Sequence, residues 1–166
     1  MRNSIRIAAM SAAAIAAVSF GSAASAATTA TATATAEILS TLTVTNTQAL
    51  DFGQVAVNGA GTLRVAGNGA ITCSALLVCT GTRAASNFDV TGTAGVAVSA
   101  VVTTASVSLA SGANTMTLNN FDVYFPAGNT LVAGASSFNV GGTLNVGASQ
   151  AAGVYNGSFT VSVEYQ

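Results

Sequence analysis

The stretch GVYNGSFTVSVEYQ, Gly153 to Gln166, decides how the rest of the chain is read. From Tyr155 to Tyr165 the odd positions are Tyr, Gly, Phe or Val, and the even ones are Asn, Ser, Thr or Glu. Side chains alternate across a strand, so the pattern predicts one face for a core and one for water. The alternation runs to a penultimate tyrosine with no polar tail behind it. Chain ends fray unless something ties them down, so this strand is expected to have a partner.

Working back from it, nearly every segment reads with period two. Phe88 and Val90 alternate with Asn87, Asp89 and Thr91, and Val107 and Leu109 with Ser106 and Ser108. Met116 and Leu118 give way to Phe121, Val123 and Phe125 in the opposite phase, which predicts a bulge near Asn119-Asn120. A second phase change falls at Gly53, between Leu50 and Phe52 on one side and Val55 and Val57 on the other. Gly141-Gly142 reads as a turn between Phe138-Val140 and Leu144-Val146. The nearly continuous apolar run Val96–Val102 reads as a central strand covered on both faces. Asn58-Gly59, Gly67-Asn68-Gly69, Ser111-Gly112 and Pro126-Ala127-Gly128 supply turns. Strands this short, with turn signals this dense, predict an all-β sandwich or barrel.

The start of the chain differs. Arg2 and Arg6, an apolar run from Ile7 to Phe20, and Ala24-Ser25-Ala26 predict an export signal over 1–26, with Ala27 as the first mature residue. The expected location is therefore the periplasm and then the cell surface. The mature chain has two arginines, Arg64 and Arg83, against Glu37, Asp51, Asp89, Asp122 and Glu164, a net charge of −3, with no lysine or histidine. Two separated cations cannot neutralise a row of phosphates, which excludes nucleic acid as a partner. Sheet edges are commonly guarded by lysine, proline or charge. With no lysine and one proline, this chain is expected to have its edges covered or paired with another chain. ATTATATATA, residues 27–36, reads either as a solvated linker or as a strand in waiting. Ala30, Ala32, Ala34, Ala36 and Ile38 share one register, which Leu42 and Val44 continue, opposite a threonine face. The expected organisation is thus a signal over 1–26, an extension over 27–40 and one domain over 41–166.

Cys73 and Cys79 have five residues between them and are the only cysteines. In an exported chain they predict a local disulfide; two thiols without histidine make half of a tetrahedral metal site. No histidine or lysine exists to serve as a general base for a serine nucleophile. Asp51, Asp89 and Asp122 sit on polar faces of alternating strands, the ordinary place for solvated carboxylates. The glycines form no phosphate-binding fingerprint. The expectation is a protein with no enzymatic activity, cofactor, metal or small-molecule substrate.

The terminal stretch resembles the C-terminal motif of chaperone–usher pilins: a glycine fourteenth from the end, alternating apolar residues and a penultimate tyrosine. Gly153 and Tyr165 hold those two places, and Tyr155, Phe159, Val161 and Val163 the alternating ones. More of the chain is similar to a family of secreted bacterial proteins, domain of unknown function 4402. That family is related in pattern to spore coat protein U and archaic chaperone–usher pilins. The matching stretches are TATATAEILSTLTVTNTQALDFGQV (31–55), NFDVTG (87–92), NTMTLNNF (114–121) and GTLNVGASQAAGVYNGSFTVSVEY (142–165).

The resemblance implies an immunoglobulin-like sandwich lacking its final strand, with an N-terminal donor-strand-like extension. A periplasmic chaperone fills the gap first, and the extension of a neighbouring copy replaces it at an outer-membrane usher. The donor face would then be Ala30, Ala32, Ala34, Ala36 and Ile38. The acceptor strand would carry Gly153, Tyr155, Phe159, Val161, Val163 and Tyr165. The expected function is a structural subunit of a surface filament or coat. The alternative is a self-complemented secreted monomer whose extension fills its own groove and which acts as a surface coat or binding module. Two features depart from the pilin pattern. The cysteines close a small loop in mid-chain, and alanine in place of leucine removes roughly 2 kcal/mol of burial per donor pocket.

Overall fold

The computed structural model describes residues 27–166. The predicted export signal, 1–26, lies outside the described residues. Among the latter there are eleven strands and no helix: β1 (Thr43–Gln48), β2 (Gln54–Val57), β3 (Gly61–Val65), β4 (Ile71–Cys73), β5 (Leu77–Thr80), β6 (Ser86–Thr91), β7 (Val98–Val102), β8 (Ser106–Ser111), β9 (Asn114–Tyr124), β10 (Ala135–Val146) and β11 (Val161–Tyr165). Every ladder is antiparallel. Glu37–Gln166 form one compact unit.

The spine is β10. Along one edge it pairs first with β6, from Ala135↔Thr91 to Val140↔Ser86, and then with β3, from Gly142↔Val65 to Val146↔Gly61. Its other edge pairs with β9. Outside these lie β1 on β6, β4 on β3 and β8 on β9. Two short ribbons, β7–β11 and β2–β5, complete the strands.

Gly141-Gly142 is therefore not a turn, contrary to the sequence expectation; it lies inside a twelve-residue strand. A Cβ on Gly141 would run into the backbone of Val65–Gly67, and one on Gly142 into the side chain of Leu118. The glycines let β10 pass closely between neighbours as it changes partner, a role glycine takes inside strands. The bulge expected in β9 is present: the β9–β10 register shifts between Gly141 and Thr143, opposite Asn119–Asp122, and Asn120 has φ 49°. Gly53, at the other phase change, has φ 67°.

The run Val96–Val102 is not a central strand either. Only Val98–Val102 is a strand, β11 is its one ladder partner, and Val101 is 56% exposed. Its apolar character serves one face only, through Val98, Ala100 and Val102.

Alternation sorts the apolar residues into two clusters. One gathers Phe52, Leu63, Val65, Leu77, Leu109, Leu118, Leu144 and Val146. The other gathers Val90, Val98, Leu131, Phe138 and Val140, beneath the β7–β11 ribbon. The even positions of β10 feed both. Phe138 and Val140 serve the second, Leu144 and Val146 the first.

Cys73 and Cys79 are joined, with Cα atoms 6.3 Å apart. The bond does more than close a loop. It fastens β4, at the edge of the large sheet, to β5 of a separate ribbon, and both cysteines pack on the first cluster.

Candidate functional site

The terminal strand is shorter than its alternation predicts. Only Val161–Tyr165 is β11, while Gly153–Thr160 lies outside it. The reason is the partner. The terminal segment runs beside β8, where Asn156 exchanges backbone hydrogen bonds with Ala110, and then beside β7. Between them, at Thr103–Ala105, the chain leaves the β7–β11 ribbon for the large sheet. The expected acceptor residues are thereby divided. Gly153 lies against Ser111, and Tyr155 packs on the first cluster with its hydroxyl donating to Ala151 C=O. Phe159, Val161, Val163 and Tyr165 all pack on the second cluster.

The ladder geometry shows which groups β11 leaves open. Thr103 N–H donates to Thr160 C=O and Gln166 N–H to Ala97 C=O, flanking the register Val161↔Val102 to Tyr165↔Val98. In an antiparallel pair, hydrogen-bonded and non-bonded positions alternate. Thr160, Ser162, Glu164 and Gln166 therefore direct their backbone groups toward β7. Val161, Val163 and Tyr165 direct theirs away, and these N–H and C=O groups have no partner among the described residues. On the outer edge of β7 only Val98 is met, its N–H donating to Asn129 C=O and its C=O accepting from Asn129 Nδ2; the outward groups of Ala100 and Val102 have no partner among the described residues.

β1 also has one free edge. β1 pairs only with β6, and all six of its residues are exposed. Val44 is 37% exposed although it stands opposite Val90, which is 0% exposed. Two contacts bracket the slot between β1 and β11. At one end the Phe159 ring meets Phe88 edge-on, with centroids 6.3 Å apart, and Phe88 stands opposite Asn46 of β1. At the other end the Tyr165 hydroxyl donates to Ser40 C=O and accepts from Thr93 N–H, both at 2.7 Å. Phe88, Phe159, Val161, Val163 and Tyr165 line the slot half-buried.

The segment expected to be a donor forms no strand. Residues 27–41 are exposed, Ala30, Ala32, Ala34 and Ala36 among them, and Ile38 is 94% exposed. Leu42 is the first residue to pack on the second cluster.

The three aspartates lie on separate elements. Asp51 accepts from Gly53 N–H and so stabilises the turn at the phase change. Asp89 is exposed on β6 between Thr45 and Ser137. Asp122 is not simply solvated, as its polar-face position predicts: it pairs with Arg64 at 2.9 Å and accepts from Gly67 N–H at 2.8 Å. Alternation carries no signal for that pairing, because it depends on β3 and β9 flanking β10.

No curated protein and no solved structure matches this chain. Residues 42–165 match a family whose description is a domain of unknown function, DUF4402. The match begins at the residue where the chain joins the second cluster and ends at the tyrosine that closes the slot, and the chain belongs to that family.

Proposed function

We propose that the protein is a structural subunit of a bacterial surface filament or coat. In this reading the two apolar clusters belong to an immunoglobulin-like sandwich that lacks a strand, and residues 27–38 of a neighbouring copy supply it. The chain is exported, held by a periplasmic chaperone and passed through an outer-membrane usher. It has no catalytic role.

One observation carries the reading. β11 has a single ladder neighbour, and its outward N–H and C=O groups lie beside apolar side chains that are only partly covered. Such an edge is a template for another strand. The donor face suits it. Val161, Val163 and Tyr165 are already more than half buried without a donor, so the slot is shallow and favours alanine over leucine. Residues 27–36 span about 33 Å when extended, longer than β11. The exposed Ile38 adds one larger side chain to the same register.

The test is assembly. Wild-type protein is expected to form polymers that resist detergent at room temperature and fall apart on boiling. A chain lacking residues 27–40 should accept a donor but give none, and so cap polymers at one end. Phe159→Asp should block acceptance by placing a charge against Phe88 and Phe121. A wild-type protein that purifies as a stable monomer with its own extension in the slot would establish the self-complemented alternative instead.

A further inference from the structure

The β7–β11 ribbon has two outer edges, and the one along β7 opens on a groove of its own. The odd residues of β7 bond to β11, so Ala100 and Val102 turn their backbone groups outward while their side chains pack on the second cluster. β9 has a free edge here as well. β8 pairs with β9 only as far as Ser106↔Asn119, because before Ser106 the chain is still crossing from β7. Phe121–Tyr124 are left with β10 as their one ladder neighbour. Two surface cavities lie between these edges. Ala100 and Val123 line both, so they form one groove, with Phe121 and Phe125 half-buried along it.

The ends and the lining say what fits. Asn129, bonded to Val98, bounds the open stretch at one end and Thr104-Ala105 at the other, which leaves a length of about 16 Å along β7. No charged side chain lines the groove, and neither lysine nor proline guards its β7 edge, the devices that keep strands from pairing. A strand entering it must be uncharged and, over rings already half-buried, must carry small inward side chains. Residues 27–36 meet both requirements, with no charged side chain and alanine at each even position from Ala30 to Ala36. In an antiparallel pair, two successive alanines of that register opposite Ala100 and Val102 share their face, toward Phe121 and Val123. The chain's own extension is exposed along its length, so the donor comes from another copy.

We propose that the groove between β7 and β9 is a second acceptor site, taken by residues 27–38 of another copy. It rests on the donor-strand reading for the donor segment but not for the groove. Each copy then has one extension and two acceptors. Where both acceptors of one copy are filled, the assembly branches, which makes a coat rather than a single filament.

Amide exchange separates the two acceptors. A chain lacking residues 27–36 keeps the compact unit Glu37–Gln166 whole. Isotope-labelled and mixed with a synthetic peptide of residues 27–38, it should exchange roughly tenfold more slowly at Ala100 and Val102, as well as at Val161, Val163 and Tyr165. Ala100→Pro removes an outward N–H and puts its ring in the groove, while the β7–β11 bonds stay, as proline on a strand edge requires. It should abolish the slowing at Val102 and leave that at β11; Val163→Pro should do the reverse. Full-length Ala100→Pro should form unbranched polymers where wild type branches. Slowing confined to β11, or slowing at Val102 that survives Ala100→Pro, overturns the second acceptor and leaves the donor-strand reading standing. Slowing confined to Ala100 and Val102 overturns the β11 reading alone, and slowing at neither overturns both. Ala100 and Val102 amides already slow before peptide is added would mean that another surface, such as β7 of a second copy, covers this edge, and would overturn the proposal.

Discussion

Two clusters of buried side chains share β10, and they differ in what covers them. Around Leu63, Leu118 and Leu144 the strands β3, β8, β9 and β10 each have neighbours, and a disulfide fastens the β2–β5 ribbon alongside. Around Val90, Phe138 and Val140 the covering ribbon has only two strands, and its last strand has an open edge. The aromatic residues gather at this second cluster: Phe88 stacks on Phe138 at 5.2 Å, Phe125 tilts against Phe138 at 5.2 Å and Phe121 against Phe159 at 5.1 Å. Large rings bury much area per residue and so hold a partly covered cluster together. The first half, fastened by the disulfide, is here called closed; the second, where the outward backbone groups of β11 have no partner among the described residues, is called open.

The contrast is broken or sharpened most strongly by a pair of truncations. Leu63 is 0% exposed in the closed half, so Leu63→Ala should remove about 3 kcal/mol from the unfolding free energy of the monomer. Val163 lines the open slot half-buried, so Val163→Ala should cost the monomer about 1 kcal/mol or less. Its larger consequence should be a lower temperature at which assembled material dissociates in detergent. Urea unfolding of monomers and a heating series on polymers measure the two. Equal losses in the monomer would erase the distinction between the halves.

The disulfide comes next in size. Closing so short a loop stabilises by about 2 kcal/mol in the chain-entropy model. Replacing Cys73 and Cys79 with serine should lower the urea midpoint by a corresponding amount while leaving the strands in place. The bond lies wholly in the closed half, so donor capture at β11 should be unchanged. Loss of capture in the double variant would mean that the halves are coupled through β10.

How much of this was legible in the sequence depends on the range of the interaction. Period-two alternation located most strands, and the phase changes marked the bulge at Asn120 and the bend at Gly53, because both are properties of one segment. Gly141-Gly142 was misread as a turn although Phe138, Val140, Leu144 and Val146 keep one phase across it. That unbroken phase was the available signal, and only the close approach of Val65–Gly67 explains the glycines. Tyr155 and Val161 are likewise in phase, yet they serve different clusters, because the break lies in the partner at Thr103–Ala105. The hydrogen bonds among Ser40, Thr93 and Tyr165 join residues from three distant parts of the chain, and no local pattern announces them. The penultimate tyrosine drew attention, but its hydroxyl's partners did not follow from the sequence.

The smallest expected effect lies at the seam between the halves. Asp122 Oδ1 accepts from Arg64 Nη2 at 2.9 Å and Oδ2 from Gly67 N–H at 2.8 Å, while Arg64 Nη1 reaches Asn120 C=O and Thr143 Oγ1, both at 3.3 Å. These contacts hold the β9 bulge against the β3–β4 turn where β10 changes partner. The two side chains are 37% and 34% exposed, so water and salt screen the charge, and such pairs contribute at most about 1 kcal/mol. Asp122→Asn keeps the shape and an acceptor oxygen; it should cost about 0.5–1 kcal/mol, less at high salt. Asp122→Ala also leaves Gly67 N–H without its acceptor and should cost about 1 kcal/mol more. The order of the two variants in urea unfolding identifies the Gly67 bond, rather than the charge, as the stronger tie. An asparagine variant that loses more than about 2 kcal/mol, independent of salt, would reverse that order and make the ion pair itself the fastening between the closed half and the open one.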